Sequence, residues 1–234
     1  MGSSVILVTT SAGATWTSEA QSGDIRGVSC PDTSHCVAVG AGTAGEGASF
    51  ATANGGISWT MTTISAGTPD AVACPSDVSC YAAGHAPNGD KNTSGLVLAT
   101  SDGGATWSTQ YSTPGNASAY NGASCWSDTS CEVVGQANQQ PVLGTTDGHT
   151  WTHQPVGNSS GARTWNAVAC TTAFCIAVGN AAPIILTTAA NGRWKFLTLP
   201  AGAGAMGGVS CAGTTCIAAG FAQDGTTGLT MNLH

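Results

Sequence analysis

The sequence predicts an all-β fold, a five-bladed β-propeller of four-stranded antiparallel blades, because two phrases alternate along it at a regular period and neither has helical spacing. The first phrase carries a pair of cysteines. It reads GVSCPDTSHCVAVG from Gly27, AVACPSDVSCYAAG from Ala71, GASCWSDTSCEVVG from Gly122, AVACTTAFCIAVG from Ala167 and GVSCAGTTCIAAG from Gly208. Its first cysteines are 44, 51, 45 and 41 residues apart, and periods of about 40 to 50 residues belong to propellers and solenoids. The second phrase ends on tryptophan: TSAGATW at Trp16, ANGGISW at Trp59, SDGGATW at Trp107, TDGHTW at Trp151 and AANGRW at Trp194. Short β-branched runs bounded by glycine, such as Val37-Ala38-Val39 and Ile176-Ala177-Val178, read as strands. No helix is expected.

Each repeat supplies four strands in order. Strand A runs into the first cysteine and strand B out of the second. Strand C precedes the glycine-rich turn, as in Leu96 to Thr100 and Ile184 to Thr188, and strand D continues from the tryptophan. Residues 1–234 then form one domain of five repeats of 41–51 residues. The chain opens on a C-like strand (Val5 to Thr9) and closes on another (Leu229 to Asn232). The termini are therefore expected to share a blade, the N-terminal strands completing the one that Cys211 begins; a piece of a larger propeller is the alternative.

The cysteine pairs, Cys30–Cys36, Cys74–Cys80, Cys125–Cys131, Cys170–Cys175 and Cys211–Cys216, most simply close the A–B hairpins as disulfides. A loop of roughly seven residues gives about 2 kcal/mol per bridge by the chain-entropy argument. Zinc is disfavoured, since four or five residues separate each pair and no second pair or histidine stands in phase. Ten cysteines imply an oxidising compartment, hence a secreted or extracellular protein. Met1-Gly2-Ser3-Ser4 reads as an appended start, so a secretion signal is expected to have been removed.

Composition excludes several classes. Only 7% of residues are charged, with 5 basic and 12 acidic side chains and a net charge of −7. Five cations cannot make the basic face that nucleic-acid binding needs. No apolar run, Val5 to Val8 included, comes near the length of a membrane span, so no membrane insertion is expected. With 41% hydrophobic residues and seven tryptophans the chain can bury a core.

Ser101-Asp102-Gly103-Gly104-Ala105-Thr106-Trp107 resembles the Asp-box (BNR) repeat of sialidases, xyloglucanases, Vps10-type receptors and photosystem II assembly-factor propellers. At Asp147 the box is one residue shorter, at Asn54 and Asn191 asparagine replaces the acid, and at Ala12-Gly13 the acid is gone. Physically such a box is a turn lock: the Asp or Asn bonds to backbone two residues on, the glycines take positive φ, and the tryptophan fills the gap between blades.

In this topology the A–B and C–D turns share one side, and the B–C loops and D–A connections share the other. The second side varies most and is where function is expected. Four residues before each first cysteine stand Arg26, Asp70, Asn121, Asn166 and Gly207, preceded by Ile25, Pro69, Tyr120, Trp165 and Met206. After strand B come Ala41, His85, Gln136, Asn180 and Phe221, and the loops add Glu46, Asp90, Lys91, Gln139 and Asp224. Candidate ligand-binding residues are Arg26, Asp70, His85, Tyr120, Asn121, Trp165 and Asn166. Tyr120 and Trp165 form either a stacking platform or a plug at the channel mouth. Arg26 and Asp70 either bind ligand or neutralise each other, and His85 is a ligand or base, or a solvated loop side chain. Trp126 reads as hairpin packing. Glu132, the one acid in its column (Val37, Tyr81, Ile176, Ile217), is expected to be exposed. Three sequons, at Asn92, Asn116 and Asn158, bear glycan only in a glycosylating host.

The resemblance to sialidases implies three arginines gripping a carboxylate, yet the chain has only Arg26, Arg163 and Arg193, the last inside a box turn. An ordinary glycoside hydrolase needs two carboxylates about 5 to 9 Å apart, for which Asp70 and Asp24 are the catalytic candidates. The reading preferred from sequence is a glycan-binding recognition module without catalysis, by architectural analogy with propeller lectins of the tachylectin type. A protein-interaction scaffold is the third reading. Expected partners are a glycan or a secreted or cell-surface protein, with no cofactor and no metal, acting as a monomer.

Overall fold

The computed structural model describes residues 3–87, 93–113, 118–136, 142–156, 164–180, 184–188, 194–197 and 201–233. They form antiparallel strands and no helix. Blade 1 is β3 (Asp24–Ser29), β4 (Cys36–Ala41), β5 (Gly47–Thr52) and β6 (Thr60–Ile64); blade 2 is β7 (Thr68–Ala73), β8 (Cys80–Pro87), β9 (Thr93–Thr100) and β10 (Ser108–Ser112). Blade 3 is β11 (Ala119–Ser127), β12 (Ser130–Gln136), β13 (Val142–Thr145) and β14 (Thr152–His153); blade 4 is β15 (Trp165–Cys170), β16 (Phe174–Gly179), β17 (Ile184–Thr188) and β18 (Trp194–Leu197). Blade 5 has three strands among the described residues, β19 (Ala203–Ala212), β20 (Thr215–Ala222) and β21 (Gly228–Leu233). Ahead of them β1 (Ser3–Val8) and β2 (Thr17–Ser22) make a separate hairpin. The molecule is thus a five-bladed propeller, with the expected strand order A-B-C-D in blades 1 to 4 and A-B-C in the described part of blade 5.

All ten cysteines are paired within the A–B hairpins as the spacing predicts, with Cα atoms 4.0 or 4.1 Å apart. The box turns are locked through side-chain acceptors, at a longer reach than expected: Asn54 and Asp102 accept from the amide four residues on, at 3.0 and 2.8 Å. Only the shortened box of Asp147 bonds two and three residues on, to His149 and Thr150. Where the acid is missing, Ser11 accepts from Thr15 N–H at 2.8 Å. The threonine before each lock, Thr9, Thr52, Thr100 or Thr145, receives a box glycine N–H. Asn191 lies outside the described residues.

Packing between sheets makes the core. Central strands β4, β8, β12 and β16 are buried on both faces. In β16, Cys175 and Ala177 join the core shared with blade 3, while Ile176 and Val178 join the core shared with blade 5. Near the axis the inner strands approach so closely that side chains are excluded. A Cβ on Gly27 would stand 3.1 Å from the Ala71 Cα, and one on Gly122 would stand 3.0 Å from the Ala167 Cα. Two residues on, Ser29 and Ser124 accept the N–H of Cys74 and Cys170 at 3.0 and 2.9 Å. The G-x-S-C of blades 1 and 3 therefore fits the A-V-A-C of blades 2 and 4.

The termini do not share a blade by hydrogen bonding. β21 occupies the edge of β20 from Cys216 to Phe221, which leaves no room there for β1. The N-terminal hairpin instead lies on blade 1, with Ile6 against the core of Ala38, Ala48 and Phe50 and Val8 over Gly56.

The seam gives a paired test by denaturant titration. Gly122→Val should lower the unfolding free energy by about 1–3 kcal/mol through forced displacement of blade 4. Gly208→Val, where a Cβ meets nothing within 4 Å, should stay within about 0.5 kcal/mol of the parent. Equal losses would contradict the seam.

Candidate functional site

The side formed by D–A connections and B–C loops is built on a repeated irregularity. In every blade the A–B register shifts at the same place, between Ile25 and Gly27, Pro69 and Ala71, Tyr120 and Gly122, Trp165 and Ala167, and Met206 and Gly208. The extra residue at each bulge is Arg26, Asp70, Asn121, Asn166 or Gly207. A bulge kinks the strand and re-aims its side chain, and here it turns Arg26, Asn121 and Asn166 toward the next blade.

Across blades 3, 4 and 5 the column acts as a seam. Asn121 donates its amide N–H to the Trp165 carbonyl at 3.0 Å, and Asn166 donates to the Met206 carbonyl at 2.8 Å and to Asn180 Oδ1 at 2.9 Å. These amides are engaged in holding blades together. Tyr120 and Trp165 are 0% and 1% exposed, which rules out a stacking platform for them. Neither offers a stacking face. Tyr120 lies over Gly95 in the core between blades 2 and 3, and Trp165 stacks on Phe196 with centroids 6.4 Å apart. Their position just before a bulge turns them inward, and burial raises the Tyr120 phenol far above its ordinary range.

Between blades 1 and 2 the column carries charge. Arg26 donates from Nη1 to Asp70 Oδ1 at 2.6 Å and from Nε to Asp24 Oδ2 at 3.0 Å. His85, leaving strand β8, meets the other Asp70 oxygen through Nδ1 at 2.8 Å. Asp70 is the centre of the network, with a side chain 20% exposed. Partial burial raises its pKa, but the hydrogen bonds from His85 and Arg26 outweigh that and hold it below the usual carboxylate range. Burial lowers the Arg26 pKa, and the two aspartates more than restore it. The result is a fixed set of donors and acceptors, partly open to solvent, on the three strands β3, β7 and β8.

Other sequence candidates stand elsewhere. Glu46 caps its own loop at Ala44 N–H, and Asp224 locks a turn through Thr226 and Thr227, which lowers its pKa to about 2. Trp126 packs against the core between blades 3 and 4. Asp90, Lys91, Gln139, Arg163, Arg193 and the sequon asparagines Asn92, Asn116 and Asn158 lie outside the described residues. Among the described residues no cluster of three or more His, Cys, Asp or Glu is placed to hold a metal.

Glu132 is a correction. It is 5% exposed, because a central strand is covered on both faces, and its carboxyl lies over Gly144 with Oε2 unpaired. Burial pushes its pKa up to about 8. This is far from the rim network, and no residue pattern beyond its column distinguished it.

No protein-family model matches the sequence, and no curated protein matches it. Solved structures share the fold. The structure titled YCF48 bound to D1 peptide aligns with a TM-score of 0.60 at 15% identity, over 93% of this chain and 65% of that one. A GH74 enzyme of Niastella koreensis aligns at 0.63 and 14% identity, over 89% of this chain and 38% of that one. U3-55K aligns at 0.67 and 12% identity, over 94% and 68%. This chain spans about two thirds or less of the first two, and at such identities the likeness is one of propeller architecture.

The pH dependence of Glu132 can be read directly. Its folded pKa of about 8 stands above the ordinary 4.5, so the stability linked to it is full below about pH 4.5 and is lost as pH rises toward 8. Glu132→Gln should abolish that decline and be more stable at pH 8 by on the order of 3 kcal/mol. An unchanged slope in thermal denaturation across this window would contradict the burial.

Proposed function

We propose that this chain is a secreted, non-catalytic recognition module that binds a glycan at the rim between blades 1 and 2. The observation that carries the reading is the Asp24–Arg26–Asp70–His85 network, with its fixed geometry and partial exposure. Sugar hydroxyls both donate and accept, so a polyol is well matched by carboxylate acceptors beside guanidinium and imidazole donors held on rigid strands. With Tyr120 and Trp165 buried, recognition there rests on hydrogen bonding more than on stacking. The disulfide in each blade suggests an oxidising, extracellular setting, in keeping with a glycan or cell-surface ligand.

Hydrolysis is the alternative, and a GH74 enzyme is among the fold neighbours. It requires one carboxyl to stay protonated as general acid. Asp70 is held ionised by the hydrogen bonds from His85 and Arg26, which does not suit it to the role of general acid. A protein-interaction scaffold is the second alternative, favoured by the neighbour whose structure holds a peptide.

The test is a glycan-array screen with the oxidised protein, followed by mass analysis of any bound glycan after incubation. Binding without a change in product mass is expected, weakened at least about tenfold, roughly 1.4 kcal/mol, in Asp70→Asn and in His85→Ala. Trp165→Ala is unsuitable because that ring is core. Cleavage lost in Asp70→Asn would overturn the reading in favour of a hydrolase, and the absence of any glycan bound would remove the glycan assignment.

A further inference from the structure

One column of side chains sets how fully neighbouring blades occupy the space between them on the side of the disulfides and box turns. It is the residue that follows the second cysteine of each pair: Val37, Tyr81, Glu132, Ile176 and Ile217. Between blades 2 and 3 that residue is Tyr81. Its ring meets Trp151 edge-on with centroids 5.9 Å apart, and its hydroxyl lies over Gly148 of the box turn and donates to the Asp128 carbonyl at 2.6 Å. Tyr81 is buried there, so this junction is filled by the protein's own phenol.

Between blades 1 and 2 the same position holds Val37, which is too short to reach across. A crevice of about 460 Å³ remains, with Val37, Ala51, Asp77, Val78, Gly103 and Gly104 in its lining. These walls repeat the surroundings of Tyr81. Asp77 stands three residues after Cys74 as Asp128 stands three after Cys125. The Asp77 carbonyl lies 3.0 Å from the place of a Gly103 Cβ, and the Asp128 carbonyl lies 3.3 Å from that of Gly148. Ala51 pairs with Val37 as Ala99 pairs with Tyr81, and Trp107, packed on the same core as Val37, holds the place of Trp151. The parts that receive the Tyr81 ring are thus present at the first junction without the ring.

We propose that this crevice binds a ligand presenting a phenol ring, held between blades 1 and 2 as Tyr81 is held between blades 2 and 3. The ring lies on Val37 and Ala51, and its hydroxyl donates to the Asp77 carbonyl. The volume is within the ordinary range of small-ligand sites, which join an apolar lining to a few placed polar groups. Charge favours a neutral donor over an anion. Asp77 and Asp102 both line the crevice, and among the described residues no lysine or arginine does. Hydrogen bonds from Thr100 and Thr106 hold the Asp102 carboxyl at a pKa of about 2, hence ionised. His35, also in the wall, is engaged by Asp32 at 2.9 Å. The crevice is on the opposite side from the Asp24–Arg26–Asp70–His85 network, so it stands apart from the glycan reading.

Titration of the oxidised full chain, followed by amide chemical shifts in nuclear magnetic resonance, tests it. The probes are p-cresol for a free phenol and N-acetyltyrosinamide for a tyrosine of a polypeptide; both should bind, and the tighter identifies the source. Shifts should centre on Val37, Ala51, Val78, Gly103 and Gly104. Toluene, which lacks the hydroxyl, should bind at least about threefold more weakly than p-cresol. Val37→Tyr supplies the ring from within and should abolish binding. If circular dichroism shows that variant misfolded, Ala105→Trp, at an exposed lining position, blocks the crevice in its place. No shifts at the solubility limit of either probe, shifts centred elsewhere, toluene equal to p-cresol, or undiminished binding to a folded blocking variant would each overturn the proposal.

Discussion

The central strand of each blade is apolar on both faces, and this requires a neighbouring sheet on either side. A lone sheet would leave one such face in water, where burying a Val or Ile side chain is worth about 1.5–3 kcal/mol. Val37 and Val39 share a core with Val72, Leu96 and Leu98 of the next blade, and Val133 shares one with Tyr81 and Val97 of the blade before. The disulfides act within one hairpin and cannot supply this. They trim the freedom of the unfolded chain locally, whereas contacts between blades tie together residues some 40 to 50 apart in sequence.

The same constraint positions the candidate site. Inner strands meet closely enough that glycine is needed at Gly27 and Gly122, and just before each of these a bulge ejects one side chain toward the next blade. Where that side chain is asparagine it sews the blades together. Where it is Arg26 opposite Asp70, the seam becomes an ionic network open to solvent, and His85 completes it from the adjacent strand. Rigidity and polarity thus coincide at one blade junction.

Repeat number, strand order and cysteine pairing were legible because each is written as a phrase of fixed residues. The bulges were not, since a bulge is a property of register and no residue type spells it. Reading Arg26, Asp70, Asn121 and Asn166 as one variable column found the right positions but not their shared role. Tyr120 and Trp165 defeated the reading because aromatic residues beside a polar column suggest a rim, while the kink that follows turns them into the core. Glu132 defeated it for another reason: a charged residue in a strand suggests an exposed face, and β12 has none. The N-terminal hairpin was read correctly as strands C and D, yet its place depended on which edge β21 had already filled.

Hydrogen exchange of the oxidised chain at dilution tests most directly the claim that neighbours hold the blades. Blade 5 has its disulfide and its hairpin but a neighbour on one face only. Amides of β20 should exchange faster than those of β8, β12 and β16, whose faces are both covered. Equal protection of β20 would contradict the account, and would place the source of stability within each sheet.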